Sequence, residues 1–430
     1  MMSETIAKTE PDAAAKFLDQ WLMPNAGTPL EEIAETLSAD VERAIGRRAY
    51  KGAAQRRNVV VRNVVANVLD TAMGPGGGIE KRLAVSTANA APTRYDRADY
   101  PYSAKLEVLR AMEETGSLII HPYSFRRLQT TVEPSAKLLT MIAGSGARPR
   151  HLKRDPGGET IWLAARTGQR RGGPFATTQN RVMPYEDTRE SVRFRVEMER
   201  INAAIRDTEI TFDGEPIAPF HLKRRFLLRS QDAPVAFDLN GRISGGSWTN
   251  LPSGDRWRLR LCGEPVADLD FSAAFVNLAY VYAGVPLPNA EAYALPGLED
   301  HRDGAKKGML SLLSRQSDLR LLSPELKQAL PEGWTARRLV EAATAHHPRI
   351  AHLFGQDLGA ALMFTESQIM VKLLLMLAER RVPFLQMYDG GMCRKSDRDV
   401  VEHCMNAASY AVIGRTLPIR EKPIVEPRFA

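Results

Sequence analysis

VADLDFSAAF, residues 266–275, runs from a strand pattern into a helix pattern. The apolar residues up to Asp270 read as a buried strand, and AAFVNLAYVYAG, ending at Gly284, reads as a helix. Asp268 and Asp270 stand at the strand's end, two apart, so strand alternation puts both on one face. A carboxylate there is held on a rigid element and suits a hard cation through oxygen. An equally simple reading makes Asp270 the N-cap of a helix starting at Phe271 or Ser272.

Working outward, the next chemistry-bearing stretch is HRDGAKKGMLSLLSRQ, residues 301–316. Arg302 and Lys306 lie four apart and share a helical face, which suits a triphosphate. Lys307 competes for the same role. Gly304 and Gly308 each cost about 1 kcal/mol inside a helix relative to Ala, which close approach of another surface would explain. The plain alternative is a solvated basic face with a glycine packing seam. A long helix, about Gly359 to Arg380, then leads into VPFLQMYDGG and a second strand. This reads as a hairpin with Asp389 at its tip. An Asp-Gly pair is also a common turn signal, so a purely structural turn is the competing reading. Glu366, on the long helix, faces either the cleft or a surface pair with Lys372, and the pair is the favoured expectation.

The order of these segments resembles motifs A, B and C of family A DNA polymerases. Asp270-Phe271-Ser272 resembles the D-Y-S that begins motif A. Arg302-x3-Lys306 resembles the R-x3-K of the fingers helix, and Tyr388-Asp389-Gly390 resembles the H-D-E or H-D-S of motif C. The resemblance covers roughly residues 220–415. It implies an α+β fold: a right-hand polymerase palm, an antiparallel sheet with helices, carrying reduced fingers and preceded by a mainly helical N-terminal region. It further implies that Asp270 and Asp389 hold two Mg2+ ions, or Mn2+, about 4 Å apart, with Asp268 an outside candidate as a third ligand. Arg302 and Lys306 would neutralise a nucleoside triphosphate. Phe275 occupies the place of the side chain that excludes ribose 2′-hydroxyls, which favours deoxynucleotides. Departures are visible too: Tyr388 and Gly390 in motif C, and Leu310 and Ser314 where the family places stacking aromatics. The spacing of GRISGGSW, DRWRL and GEPVADLDFSAAF is also similar to that of polymerase-like proteins of bacterial genomes and mobile elements, which implies a plasmid, prophage or mobile-element setting. The implied partners are nucleic acid, DNA first, and nucleoside triphosphates. Two rival functions stay open: a non-catalytic DNA-binding replication or plasmid protein, and a metal-dependent nuclease.

The rest of the chain divides by pattern. Residues 1–78 read as helical, through FLDQWL, EEIAETLSADVERAI and NVVVRNVVANVLDTAM, and end at the glycine run Gly74–Gly78. Residues 79–145 read as a small α/β unit, of winged-helix type or otherwise. Residues 146–187 read as a basic Arg/Gly-rich linker, and residues 188–430 as palm and fingers. The helix expected over 188–207 has Val192, Val196, Met198, Ile201 and Ile205 as its buried stripe. A net charge of +7 over 430 residues permits a polyanionic partner without requiring one. The three cysteines, Cys262, Cys393 and Cys404, show neither C-x-x-C spacing nor an even framework. The polar N-terminus lacks a signal-peptide pattern, and Lys372 interrupts the most apolar run, so no membrane span is expected. The expected location is the cytoplasm.

Overall fold

The computed structural model describes residues 15–46, 52–78, 81–87, 92–122, 130–170, 178–288 and 290–426. The N-terminal fourteen residues and parts of the basic stretches, 47–51 and 171–177, lie outside these. So do Ile79, and with it the expected domain start, and the end of the tail, 427–430. The fold is mixed α+β, with several small sheets. The chain forms two compact units: residues 1–159 with 211–220 and 250–252, and residues 160–210 with 221–249 and 253–430.

In the first unit, β1 (Lys16–Phe17) and β2 (Leu22–Pro24) precede α1 (Pro29–Ile45) and α2 (Ala53–Met73). Then come β3 (Leu83–Ala84), α3 (Tyr102–Glu114), β4 (Leu118–His121), β5 (Thr131–Pro134), α4 (Ala136–Ser145) and β6 (Leu152–Arg154). FLDQWL is strand and turn rather than the expected helix. The amides of Asn63 and Asn67 on α2 donate to the carbonyls of Asp19 and Leu22 at 2.8–3.0 Å, taking groups a helix would need for its own ladder. β1, β3, β5 and β4 form one sheet, so strands on both sides of the Gly74–Gly78 run belong together. Leu30, Leu37, Val60, Val64, Leu69, Val108 and Met112 are central to the core beneath.

The second unit begins with β7 (Ile161–Arg170) and β8 (Thr178–Val182), where a basic linker was expected. Ile161, Leu163 and Ala165 are buried at alternate positions of β7, a strand period that the surrounding arginines and glycines obscure. α5 (Arg189–Arg206) follows, capped by Thr188, whose hydroxyl accepts from the Ser191 N–H at 3.1 Å. Its buried stripe is Ser191, Phe194, Met198, Ile201, Asn202 and Ile205. Val192 and Val196 are 45% and 50% exposed, so the expected stripe was rotated: Phe194 forms a stacked pair with Phe226 and fixes which face turns inward.

In sequence, a short hairpin, β9 (Ile210–Phe212) and β10 (Glu215–Pro216), counted from residue 211 on with the first unit, comes before β11 (Lys223–Leu228) and β12 (Asn240–Ser244) of the second. β11 pairs β7 in parallel and β12 antiparallel. The rest of the second unit is built from β13 (Leu259–Leu261), β14 (Glu264–Phe271), α6 (Ala274–Tyr282), α7 (Arg302–Ser314), α8 (Pro324–Ala329), α9 (Ala336–His346) and α10 (Gly359–Glu379). It closes with β15 (Phe384–Met387), β16 (Gly390–Arg394), α11 (Arg398–Ile413) and β17 (Ile419–Lys422). These strands lie in the order β13–β14–β16–β15, and β17 pairs β14 as well, all antiparallel. α10 packs against α5, α6, α7, α11 and β12. By length and composition it could cross a membrane, which corrects the expected lack of any such run, but 56% of its apolar window is buried in this unit. Cys393 and Cys404 are buried free thiols, and Cys262 is an exposed one.

Candidate active site

Strand β14 ends in an abrupt turn. Ala273 takes a left-handed φ of 49°, a strained value for a residue with a side chain, and α6 starts only at Ala274. The turn is braced twice: the Ser272 N–H donates to the Pro418 carbonyl at 2.7 Å, and the Asn277 amide donates to the Ser272 carbonyl at 2.8 Å. Asp270 is therefore a strand residue, not a helix cap. The hairpin β15–β16 turns at Tyr388, with φ 52°, and Asp389. Gly390 is already in β16, opposite Asp270, so the Asp-Gly pair is not the turn itself. The Phe271 N–H donates to the Asp389 carbonyl at 3.1 Å. Asp270 and Asp389 are thus brought to neighbouring strand tips from positions more than a hundred residues apart.

Gly390 makes this closeness feasible. A Cβ on it would lie 2.2 Å from the Leu269 carbonyl oxygen and 2.6 Å from the Asp270 Cα. The indole N–H of fully buried Trp248, from the GRISGGSW stretch, donates to the Gln386 carbonyl at 3.0 Å and supports the hairpin from below.

Both carboxylates line a cavity of about 320 Å³ together with Phe275, Arg302, Lys306, Leu310, Ser314, Tyr293, Glu366, Arg242 and Arg420. Of the two candidate lysines, Lys306 lines this cavity, whereas Lys307 pairs with Asp303 at 2.8 Å, one turn away. Arg302 donates to Glu291 at 3.2 Å and lies over the Tyr293 ring at 5.0 Å. Gly304 and Gly308 are a packing seam: a Cβ would meet the Ala329 carbonyl oxygen at 2.3 Å and the Leu339 side chain at 2.9 Å. Close approach of α8 and α9 explains both glycines.

Three further features were missed or misread in the sequence. Glu366 does not pair with Lys372: it is 2% exposed and accepts two 2.7 Å hydrogen bonds from Arg242. Burial pushes its carboxyl up to about 7 despite that arginine, and Asp389 adds to the rise. Arg242 also lies over the rings of Phe275 and Tyr388, at 5.7 and 5.4 Å. Tyr293 is buried, and burial, then the charge of Asp389, pushes its phenol up to about 12. Arg420 and Lys422, on β17, reach Asp270: Arg420 donates at 2.9 and 3.3 Å, and the Lys422 ammonium lies at 2.6 Å. Only a four-residue strand in a Pro-rich tail could have signalled them.

Asp268 does not line the cavity. It is buried and in contact with Arg256, and it is not gathered with Asp270 and Asp389 in the cavity lining. Among the described residues no group of three or more His, Cys, Asp or Glu is gathered as a metal site. The two remaining carboxylates still fit a hard divalent cation. Asp389 is half-buried with no cation at ion-pair distance among the described residues, and its carboxyl is raised first by burial and then by the charge of Asp270. A divalent cation between the two would relieve that repulsion through oxygen ligands.

No family model matches the chain, and no curated protein matches it. Among solved structures it is similar to the POL domain of Pol1 from M. smegmatis in complex with DNA primer-template and dNTP, at 11% identity and a TM-score of 0.28. The match covers 93% of this chain and 66% of that one, so the chain spans just under two thirds of that domain.

Proposed function

We propose that this chain is a polymerase-like nucleotidyltransferase that adds deoxynucleotides to a nucleic-acid 3′-end, acting in the cytoplasm in a plasmid or mobile-element setting. The observation that carries the reading is the convergence of Asp270 and Asp389, on hydrogen-bonded antiparallel strands, into one cavity walled by Lys306 and Arg302. Phosphoryl transfer asks mainly for positioning and charge neutralisation, so a short list of side chains suffices. Asp270 and Asp389 would hold the divalent cations, Mg2+ or Mn2+. Bound there, these supply charge neutralisation for the attacking 3′-oxygen and the leaving pyrophosphate.

Lys306 and Arg302 bind triphosphate oxygens from the α7 side. Phe275, 6% exposed on the cavity wall, closes the space beside the sugar and favours deoxynucleotides over ribonucleotides. Glu366 fixes Arg242 across the Phe275 and Tyr388 rings, which holds the wall in one shape. Leu310 and Ser314 stand where a stacking aromatic would grip the base, so base selection rests on template pairing and cavity shape.

The test is incubation with primed template, Mg2+ and labelled dNTPs. Extension that disappears in Asp270→Ala and Asp389→Ala supports the reading, as does a preference for dNTPs that Phe275→Ala relaxes. Shortened DNA would replace it with nuclease chemistry. A second reading, a DNA-binding protein without catalysis, is favoured by the ion pairs that occupy Asp270. It would be upheld by a gel shift that neither substitution alters, with no extension.

A further inference from the structure

The last strand brings two cations to one carboxylate. Arg420 and Lys422 are two apart on β17 and share a face. Between them they bring three cationic nitrogens to the two oxygens of Asp270: Arg420 Nε donates at 2.9 Å to Oδ1, Arg420 Nη2 donates at 3.3 Å to Oδ2, and Lys422 Nζ forms an ion pair at 2.6 Å with Oδ2. A carboxylate oxygen offers about two lone-pair sites. Each oxygen then has one site taken by a guanidinium N–H, and the Lys422 ammonium crowds Oδ2 as well. Residue 421, on the other face, anchors the strand: Glu421 accepts from Arg398 at 3.2 Å. Exposure separates the partners. Asp270 is 6% exposed at its side chain, against 41% for Arg420 and 35% for Lys422. The cations can swing into water while the strand stays paired, and the carboxylate cannot move.

From this we infer that β17 is a counter-ion strap: Arg420 and Lys422 hold Asp270 when no divalent cation is bound, and a cation entering the site displaces them. The inference rests on the proposed function, since it takes Asp270 and Asp389 as the cation-holding pair. A divalent ion beside Asp270 repels both side chains, so binding of the cation alone is weakened by the strap. Arg420 lines the cavity that Lys306 and Arg302 also line. Once released there, it becomes a third cation for phosphate oxygens. Cation binding and triphosphate binding therefore assist each other through Arg420.

The experiment is a titration with Mn2+ alone, followed by the electron paramagnetic resonance signal of the free ion, on the full chain. It is run on the unaltered protein, Arg420→Gln, Lys422→Gln and the double variant, then repeated with a non-hydrolysable deoxynucleoside triphosphate. Each neutralised cation is expected to tighten Mn2+ binding about tenfold, the value of one hydrogen bond to a charged group. Asp270→Asn is expected to abolish binding in every background. The triphosphate analogue should tighten Mn2+ binding in the unaltered protein far more than in Arg420→Gln. Unchanged or weaker Mn2+ binding in both single variants, with native circular dichroism, overturns the strap. Lys422→Gln alone decides the matter if loss of Arg420 unfolds the chain, because Lys422 does not line the cavity. Tighter Mn2+ binding with no primer extension by the unaltered protein would keep the strap and remove the polymerase reading. Extension with unchanged Mn2+ affinity would do the reverse.

Discussion

An alanine at position 390 would put its methyl carbon 2.2 Å from the Leu269 carbonyl oxygen, between two backbones that cannot yield separately. Gly390→Ala is expected to cost roughly 2 to 3 kcal/mol by overpacking and to abolish extension by parting the two aspartates, measured as denaturant midpoint and primer extension on one preparation. Glu366 offers a pH test. Its folded value of about 7 lies above that of a free carboxyl, so it binds its proton more tightly in the folded state. The stability this contributes is complete below the free value and is lost as pH rises through about 7. Between pH 5 and pH 8 the chain should therefore lose about 2 kcal/mol relative to Glu366→Gln, read by urea unfolding at the two pH values. A positive or flat difference would remove burial as the cause. The two neighbouring lysines should separate: Lys306→Ala is expected to raise KM for dNTP about tenfold or more, and Lys307→Ala to change it less than about twofold, because its ion pair is exposed.

At the level of elements, the helices α5, α7 and α10 were legible nearly to the residue. Each shows capping residues or a sustained apolar period, and both are local signals. What faces what was less legible. Val192 and Val196 fit a helical stripe as well as Phe194 does, but only the aromatic packing of Phe226 and Phe237 decides between them. β7 was hidden because its buried residues Ile161, Leu163 and Ala165 run straight into the Arg- and Gly-rich stretch Arg166–Gly173 of the sequence. The site followed the same division. Asp270, Asp389 and Lys306, singled out by the order of their segments, line one cavity. The partner of Glu366 is 124 residues away and the guanidinium on Asp270 is 150 away, so no spacing rule could pair them. The glycine seam of α7 gives an element-scale test. Gly304→Ala forces a methyl against the Ala329 carbonyl oxygen at 2.3 Å and is expected to lower Tm and weaken nucleotide binding together by tilting α7. Gly333→Ala, with open space around its Cβ but a φ of 78°, should lower Tm without that loss of binding.

For the whole molecule, a net charge of +7 is spread over a chain in which many carboxylates of the described residues, Asp357, Glu366 and Asp268 among them, are paired with arginines. Association with DNA should therefore be strongly salt-dependent, the logarithm of affinity falling linearly with the logarithm of salt, by about tenfold or more between roughly 50 and 200 mM. A shallow slope would assign the basic charge to internal ion pairs alone. Asp270→Asn should leave that slope unchanged, since the residue faces the cavity and not a phosphate track. The central question is whether the two aspartates share a cation. Anomalous diffraction from crystals soaked in Mn2+ measures this directly. The expected result is a peak within coordination distance of carboxylate oxygens from both Asp270 and Asp389, with Arg420 turned away. Mn2+ bound elsewhere, or at neither residue while Arg420 and Lys422 still grip Asp270, would contradict it.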